Sequence, residues 1–89
     1  MKRIEISRKS ELELDRSGVF DWPVWTCDIS EFSWEYDRRE SCYIIEGEVE
    51  IRTDTETVYL GPGDFAVFPA GLQCRWKIIQ PVKKHYKLS

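Results

Sequence analysis

The sequence predicts an all-β domain, a sandwich or barrel of about seven to nine short strands with Greek-key connections. Runs rich in Ile, Val, Tyr, Phe and Trp follow one another between Phe32 and Lys87, and turn signals separate them at short spacing. No stretch shows the periodicity of an amphipathic helix. Since 89 residues suffice for one small domain, we predict a single domain over 1–89.

The first 20 residues carry the weakest pattern. We predict an edge strand at "RIEI" (3–6) and a turn-prone connector at "ELELDRSG" (11–18). The barrel itself is predicted over residues 21–88. Within it, "EFSWEY" (31–36) alternates with a period of two, which places its three aromatic residues on one inward face.

The segments "SCYIIE" and "EVEIRT" flank Glu46-Gly47, where glycine can adopt a positive φ, so a hairpin is predicted there. "TDTE" and "GPGD" predict further turns around the strand "TVYL". The strand "FAVF" is followed by a corner at "PAG". "QCRWKII" alternates so that Cys74, Trp76 and Ile78 share one face, and "VKKHYKL" is predicted as a last strand.

Charge and composition exclude several classes of partner and location. The net charge of -3 argues against nucleic acid, which needs a basic surface. No apolar stretch reaches the length of a signal peptide or a membrane span, so we expect a cytoplasmic protein without a membrane partner. The three cysteines show no CxxC spacing, which favours reduced thiols over a disulfide framework or a zinc ribbon.

The spacing of a few residues resembles the two cupin motifs. Glu40 and Gly47 match the end of the first motif, and Gly63, Pro69 and Gly71 match the start of the second. The surrounding residues are similar to short single-domain cupins grouped with the cupin domain of ureidoglycine aminohydrolase. The resemblance implies a small RmlC-like jelly-roll β-barrel (a double-stranded β-helix) whose interior holds a ligand or a metal.

The resemblance does not extend to the usual metal ligands. Where many cupins have three histidines, this chain has Trp34, Tyr36 and Cys74, and only Glu40 keeps its type. We therefore expect no cofactor. The alternative is a divalent metal held by Glu40 and Cys74, although a structural zinc site requires four such ligands.

Alternation and motif spacing together predict one inward-facing cluster as the candidate site. Burial disfavours a charged carboxyl group unless a hydrogen bond or a cation compensates, which suits Glu40 to general acid or base work. Glu40 is thus the candidate base, and a buried structural acid is the alternative. The remaining members are candidate ligand-binding residues: Trp34, Tyr36, Cys42, Cys74 and Trp76.

These ligand-binding candidates also have structural interpretations. Cys42 and Cys74 can be small buried hydrophobic residues, because thiolate chemistry needs an electropositive neighbour or a metal. Trp34 and Trp76 could stack on a planar ligand or fill the barrel themselves.

Three functions follow from this interpretation. The favoured one is a metal-independent barrel that binds a small polar metabolite. The second, which the resemblance implies, is an enzyme of the ureidoglycine aminohydrolase type acting on a small nitrogenous compound. The third is a non-catalytic structural protein with a filled barrel. Exposed strand edges, and the frequent dimerisation of cupins, lead us to expect a homodimer.

Overall fold

The computed structural model describes residues 2–89, and Met1 lies outside the described residues. It confirms the all-β prediction, with seven strands, one short helix and one 3₁₀ turn. The elements in chain order are β1 (Glu5–Ser7), α1 (Glu11–Arg16), the 3₁₀ turn (Val19–Asp21), β2 (Val24–Cys27), β3 (Ser30–Glu35), β4 (Glu40–Arg52), β5 (Thr57–Leu60), β6 (Phe65–Phe68) and β7 (Gln73–Leu88).

The two long strands β4 and β7 form the spine of the barrel. They pair antiparallel from Glu40 opposite Leu88 to Arg52 opposite Arg75. At one end β6 and β2 flank this pair, and β1 extends the sheet beyond β6. At the other end β5 pairs with β4 and β3 pairs with β7. The chain therefore builds two antiparallel groups of strands that share the same two central strands.

The predicted hairpin at Glu46-Gly47 is wrong, because β4 runs straight through these residues as one strand. The pairing with β7 shifts register between Ile44 and Val49, which marks a bulge. Opposite it lies Pro81, which has no N–H to give to the ladder and is tolerated in strands at such bulges. Gly47 adopts a φ of +99°, and a Cβ there would lie 2.6 Å from the Cα of Val82.

The last two predicted strands are likewise one. "QCRWKII" and "VKKHYKL" join across Gln80 and Pro81 into the 16 residues of β7. The predicted alternation within the first of them is confirmed, since Cys74, Trp76 and Ile78 are all buried. The same even-numbered row continues inward at Val82 and Lys84 beyond the bulge.

The turn-prone connector predicted at 11–18 is also wrong, because residues 11–16 form α1. Ser10 caps the helix by accepting a hydrogen bond from the Glu13 amide, and the Glu13 carboxylate accepts one from the Ser10 amide. Leu14 anchors the helix in a small core with Val19 and Phe65. The edge strand predicted at 3–6 is confirmed as β1, which pairs with β6.

The main core lies between the two groups of strands and is rich in aromatic side chains. Tyr36 stacks on Phe68 at 4.8 Å between ring centroids, and Phe32 stacks on Trp76 at 6.2 Å. Phe68 is fully buried, as are Ile44 and other aliphatic residues of β4 and β7. These stacked aromatic side chains thus fill much of the barrel interior.

Candidate functional site

A cavity of about 380 Å³ opens at the end of the barrel where β3 leads into β4. Its walls come from β2, β3, the 36–39 connection, the start of β4 and the end of β7. The lining residues are Trp25, Phe32, Trp34, Glu35, Tyr36, Asp37, Arg38, Glu40, Lys84, Tyr86 and Leu88. Small-molecule sites have this size and this mixture of aromatic walls with a few polar groups.

The polar centre of this cavity is an ion pair between Glu40 and Lys84. The Lys84 ammonium donates a hydrogen bond to Glu40 Oε2 at 2.7 Å. The two residues are only 8 % and 5 % exposed. Buried charges persist when each is paired, so each residue provides the compensation that the other needs.

Two indole rings flank the Lys84 ammonium. Its Nζ lies 5.0 Å from the centroid of the Trp25 ring and 4.7 Å from that of Trp76. Indole faces attract cations, and the attraction is strongest where water is excluded. The site therefore stabilises a positive charge at this position by one carboxylate and two aromatic faces.

Our sequence interpretation missed Lys84, although the signal was present. Val82, Lys84 and Tyr86 continue the even-numbered row of β7 that buries Trp76 and Ile78. Lysine is almost never fully buried unless it is paired, so its residue type argued against an inward position. The alternation pattern, followed past Pro81, would have placed Lys84 inside the barrel.

Glu40 lines the cavity, and the ion pair engages one of its two carboxylate oxygens. Oε2 accepts from Lys84, whereas no residue among 2–89 donates a hydrogen bond to Oε1. Within that range, every fully enclosed side-chain nitrogen or oxygen has a hydrogen-bond partner. Oε1 is therefore not enclosed and can accept a hydrogen bond from a molecule in the cavity.

Tyr36 lies beside the ion pair as a neutral phenol. Burial raises the pKa of Tyr36 well above its ordinary value, and the nearby Glu40 carboxylate adds to this effect. The phenol stays protonated at any physiological pH, and Tyr36 forms part of the cavity wall.

The structure brings only part of the predicted cluster together in this cavity. Tyr36 and Glu40 line it, and Trp76 lies beneath it against Lys84. Trp34, which was expected to point inward, is 53 % exposed and lies at the rim. Trp34 is near the end of β3, where it borders both this cavity and a second surface groove.

The two buried thiols of the predicted cluster do not line the cavity. Cys42 is fully buried in the core, and Cys74 borders a separate surface groove with Arg52 and Arg75. Burial raises the pKa of Cys42 to about 12 and that of Cys74 to about 11. Both are protonated near neutral pH, which favours their interpretation as small hydrophobic residues.

We expect alkylation of the native protein at pH 8 to modify Cys27 first, Cys74 more slowly and Cys42 only on unfolding. Cys27 is the one partly exposed thiol of the three. Peptide mass mapping with and without urea measures this order. Rapid labelling of Cys42 in the native state would show that it is reactive and contradict the structural interpretation.

The high pKa of Cys42 also gives the stability of the fold a pH dependence. The thiol ionises near 9.0 when exposed and near 12 when buried, so only the unfolded chain loses its proton between these values. The contribution of the buried Cys42 thiol to the free energy of unfolding is complete below pH 9 and is lost as the pH rises towards 12.

The donor set does not fit a divalent metal. Within residues 2–89, no three His, Cys, Asp or Glu side chains converge as a metal site would require. The Lys84 ammonium neutralises Glu40, the ligand that the sequence suggested, and would repel a second cation. Separately, no helix in the described part of the chain is long and apolar enough to cross a membrane.

Known families and structures share this fold. The EutQ-like cupin domain family matches residues 14–86. The crystal structure of a DUF861-family protein from Thermotoga maritima is 42 % identical, with a TM-score of 0.95 over 98 % of this chain and 100 % of that one. No curated protein matches the chain significantly.

More distant structures show the fold alone. A putative ethanolamine utilization protein Q from Salmonella typhimurium is 19 % identical, with a TM-score of 0.65, and the similarity covers 93 % of this chain and 66 % of that one. The EutQ protein of Clostridium difficile is 17 % identical, also with a TM-score of 0.65, over 96 % and 66 % of the two chains. The match over residues 14–86 and the structural similarity over the whole barrel show that this chain belongs to the EutQ-like cupin domain family.

Proposed function

We propose that the protein binds a small polar organic molecule in the cavity above the Glu40–Lys84 pair, without a metal ion. The observation that carries this proposal is a buried ion pair that faces an accessible cavity with aromatic walls. A pair needed only for stability gains nothing from an opening to solvent. A binding site needs that opening, and it needs a few fixed polar groups to orient the ligand.

The polar groups favour a ligand that both donates and accepts hydrogen bonds. Glu40 Oε1 is open to an N–H or O–H donor, and the Lys84 ammonium has N–H groups beyond the one given to Glu40. Amides, ureides and amino acids carry such paired groups. The aromatic side chains of Trp25 and Phe32 line the same cavity and favour a compact, planar molecule.

Two observations count against a barrel filled by its own indoles. Trp34 lies at the rim, and the cavity reaches down to Lys84. The narrower expectation of an enzyme of the ureidoglycine aminohydrolase type stays a prediction, in which Glu40 Oε1 would take a proton from the bound molecule. We favour binding because it requires only the groups that the cavity presents.

A ligand screen with matched variants tests the proposal. We expect amides, ureides or amino acids to raise the melting temperature and to quench tryptophan fluorescence, since Trp25 and Trp34 line the cavity. Trp34→Ala, a change at an exposed rim position, should weaken binding by at least about tenfold, because a ligand in the cavity would cover the indole, and losing such a contact costs about 1.4 kcal/mol or more. Tyr59→Ala is the control, since Tyr59 is also exposed but lies on β5 outside the cavity.

Equal binding by the two variants would place the ligand elsewhere on the protein. Absence of any response across the three compound classes would count against a binding function for the cavity.

A further inference from the structure

We propose that Lys84 forms an imine with small aldehydes and 2-oxo acids that enter the cavity. This inference rests on the proposed binding function and names a class of ligand that would react there. It arises from the nature of the buried cation, which is a primary amine and therefore a potential nucleophile towards carbonyl carbon.

The geometry pairs a nucleophile with a base. Lys84 lines the cavity, and Glu40 Oε2 lies 2.7 Å from its Nζ, within the range for direct proton transfer. Lys83, the adjacent residue on β7, is exposed and has no hydrogen bond to a carboxylate among the described residues.

The reaction balances with these two residues and the carbonyl compound alone. Glu40 takes one proton from the Lys84 ammonium, and the amine lone pair forms a bond to the carbonyl carbon while the C=O π pair moves to oxygen. Proton transfer from nitrogen to oxygen, through Glu40, gives the neutral carbinolamine. Protonation of its hydroxyl group by Glu40 then releases water, and the nitrogen lone pair forms the C=N bond of a protonated imine. The net change is ammonium plus carbonyl compound to iminium plus water.

The surroundings suit the product as well as the starting amine. The iminium nitrogen keeps the positive charge of the ammonium at the same position. The Glu40 carboxylate and the faces of Trp25 and Trp76 therefore continue to stabilise it. Neither end state leaves a buried charge without a partner.

A positive charge at the rim of the cavity favours 2-oxo acids among the possible carbonyl compounds. Arg38 lines the cavity and forms no ion pair with any residue among 2–89. A guanidinium group binds a carboxylate with two parallel hydrogen bonds. A 2-oxo acid could thus present its carboxylate to Arg38 and its carbonyl group to Lys84.

Reductive trapping with glyoxylate and sodium cyanoborohydride tests the inference. We expect peptide mass mapping of the native protein to show a reduced adduct on Lys84 at least about tenfold faster than on Lys83. Glycolate, which has a hydroxyl group in place of the aldehyde, should give no adduct. Adducts formed at equal or greater rates on Lys83 and the other exposed lysines would overturn the proposal.

Three variants test the imine chemistry separately from ligand binding. Lys84→Arg should lose the adduct, whereas Lys83→Arg should keep it, and Glu40→Gln should slow trapping by at least about tenfold because the base is gone. A different outcome is that glyoxylate raises the melting temperature in the absence of cyanoborohydride and yet gives no adduct on Lys84 in its presence. That result would refute imine formation and leave the binding function standing. Failure of the cavity itself would appear separately, as equal ligand binding by Trp34→Ala and Tyr59→Ala.

Discussion

Replacing Lys84 with methionine is expected to lower the free energy of unfolding by about 3–5 kcal/mol, because it leaves Glu40 buried without a partner. Methionine keeps much of the length and apolar character of the lysine stem, so the loss reports mainly on the charge. Urea denaturation followed by circular dichroism measures it. With about 5–15 kcal/mol as the total stability of a small domain, this is among the largest effects expected of a single substitution.

The double variant Glu40→Gln/Lys84→Met distinguishes lost pairing from lost packing. A neutral pair removes the stranded charge, so most of the stability lost in the single variant should return. Arg75→Met is the exposed comparison, since it breaks the surface pair of Arg75 with Glu31 and should cost much less. A double variant no more stable than Lys84→Met would show that the ion pair is not the cause.

The second large effect is expected for Gly47→Ala, which should lower the free energy of unfolding by about 4 kcal/mol or more. The added Cβ would overlap the Pro81 carbonyl oxygen and lie 2.6 Å from the Val82 Cα. These are backbone atoms of the central strand β7 and cannot rotate aside. The φ of +99° adds conformational strain, and the melting temperature should fall by more than about 15 °C.

Two other glycines in the chain provide graded controls for this substitution. Gly18 has a φ of +75° but no atom near its would-be Cβ, so Gly18→Ala should cost only the conformational term, about 1–2 kcal/mol. Gly61 has neither a positive φ nor a close neighbour, and alanine there should be neutral or stabilising by about 0.4–1 kcal/mol. Equal effects at Gly18 and Gly47 would show that the close approach to β7 does not matter.

The strands could be predicted from sequence wherever one side chain in two is apolar. Cys74, Trp76 and Ile78 occupy the core as their alternation indicates. The bulge at Gly47 could not be recognised, because a glycine between two apolar runs looks the same in a hairpin and in a continuous strand. The difference depends on Pro81, which is distant in sequence and meets Gly47 only in the folded sheet.

Only part of the site could be predicted from sequence, because the rest also depends on contacts between distant residues. Glu40 was found because its position matched a motif, and its expected burial implied that a hydrogen bond or a cation would compensate its charge. The identity of that cation depends on pairing between β4 and β7, which places Lys84 beside Glu40 across 44 positions of sequence. Lysine is rarely buried without a partner, whereas here a carboxylate and two indole rings stabilise its buried charge.

The central place of β7 also constrains when the barrel can form during synthesis. Until residues 73–88 have been made, β2, β3 and one edge of β4 have no strand to pair with. At about 5–20 residues per second, translation of β7 takes roughly 1–3 s. During that time one edge of β4 is unpaired and its apolar side chains are exposed. Such surfaces are bound by chaperones and drive aggregation. Folding of this barrel is therefore completed after its last strand has left the ribosome rather than strand by strand.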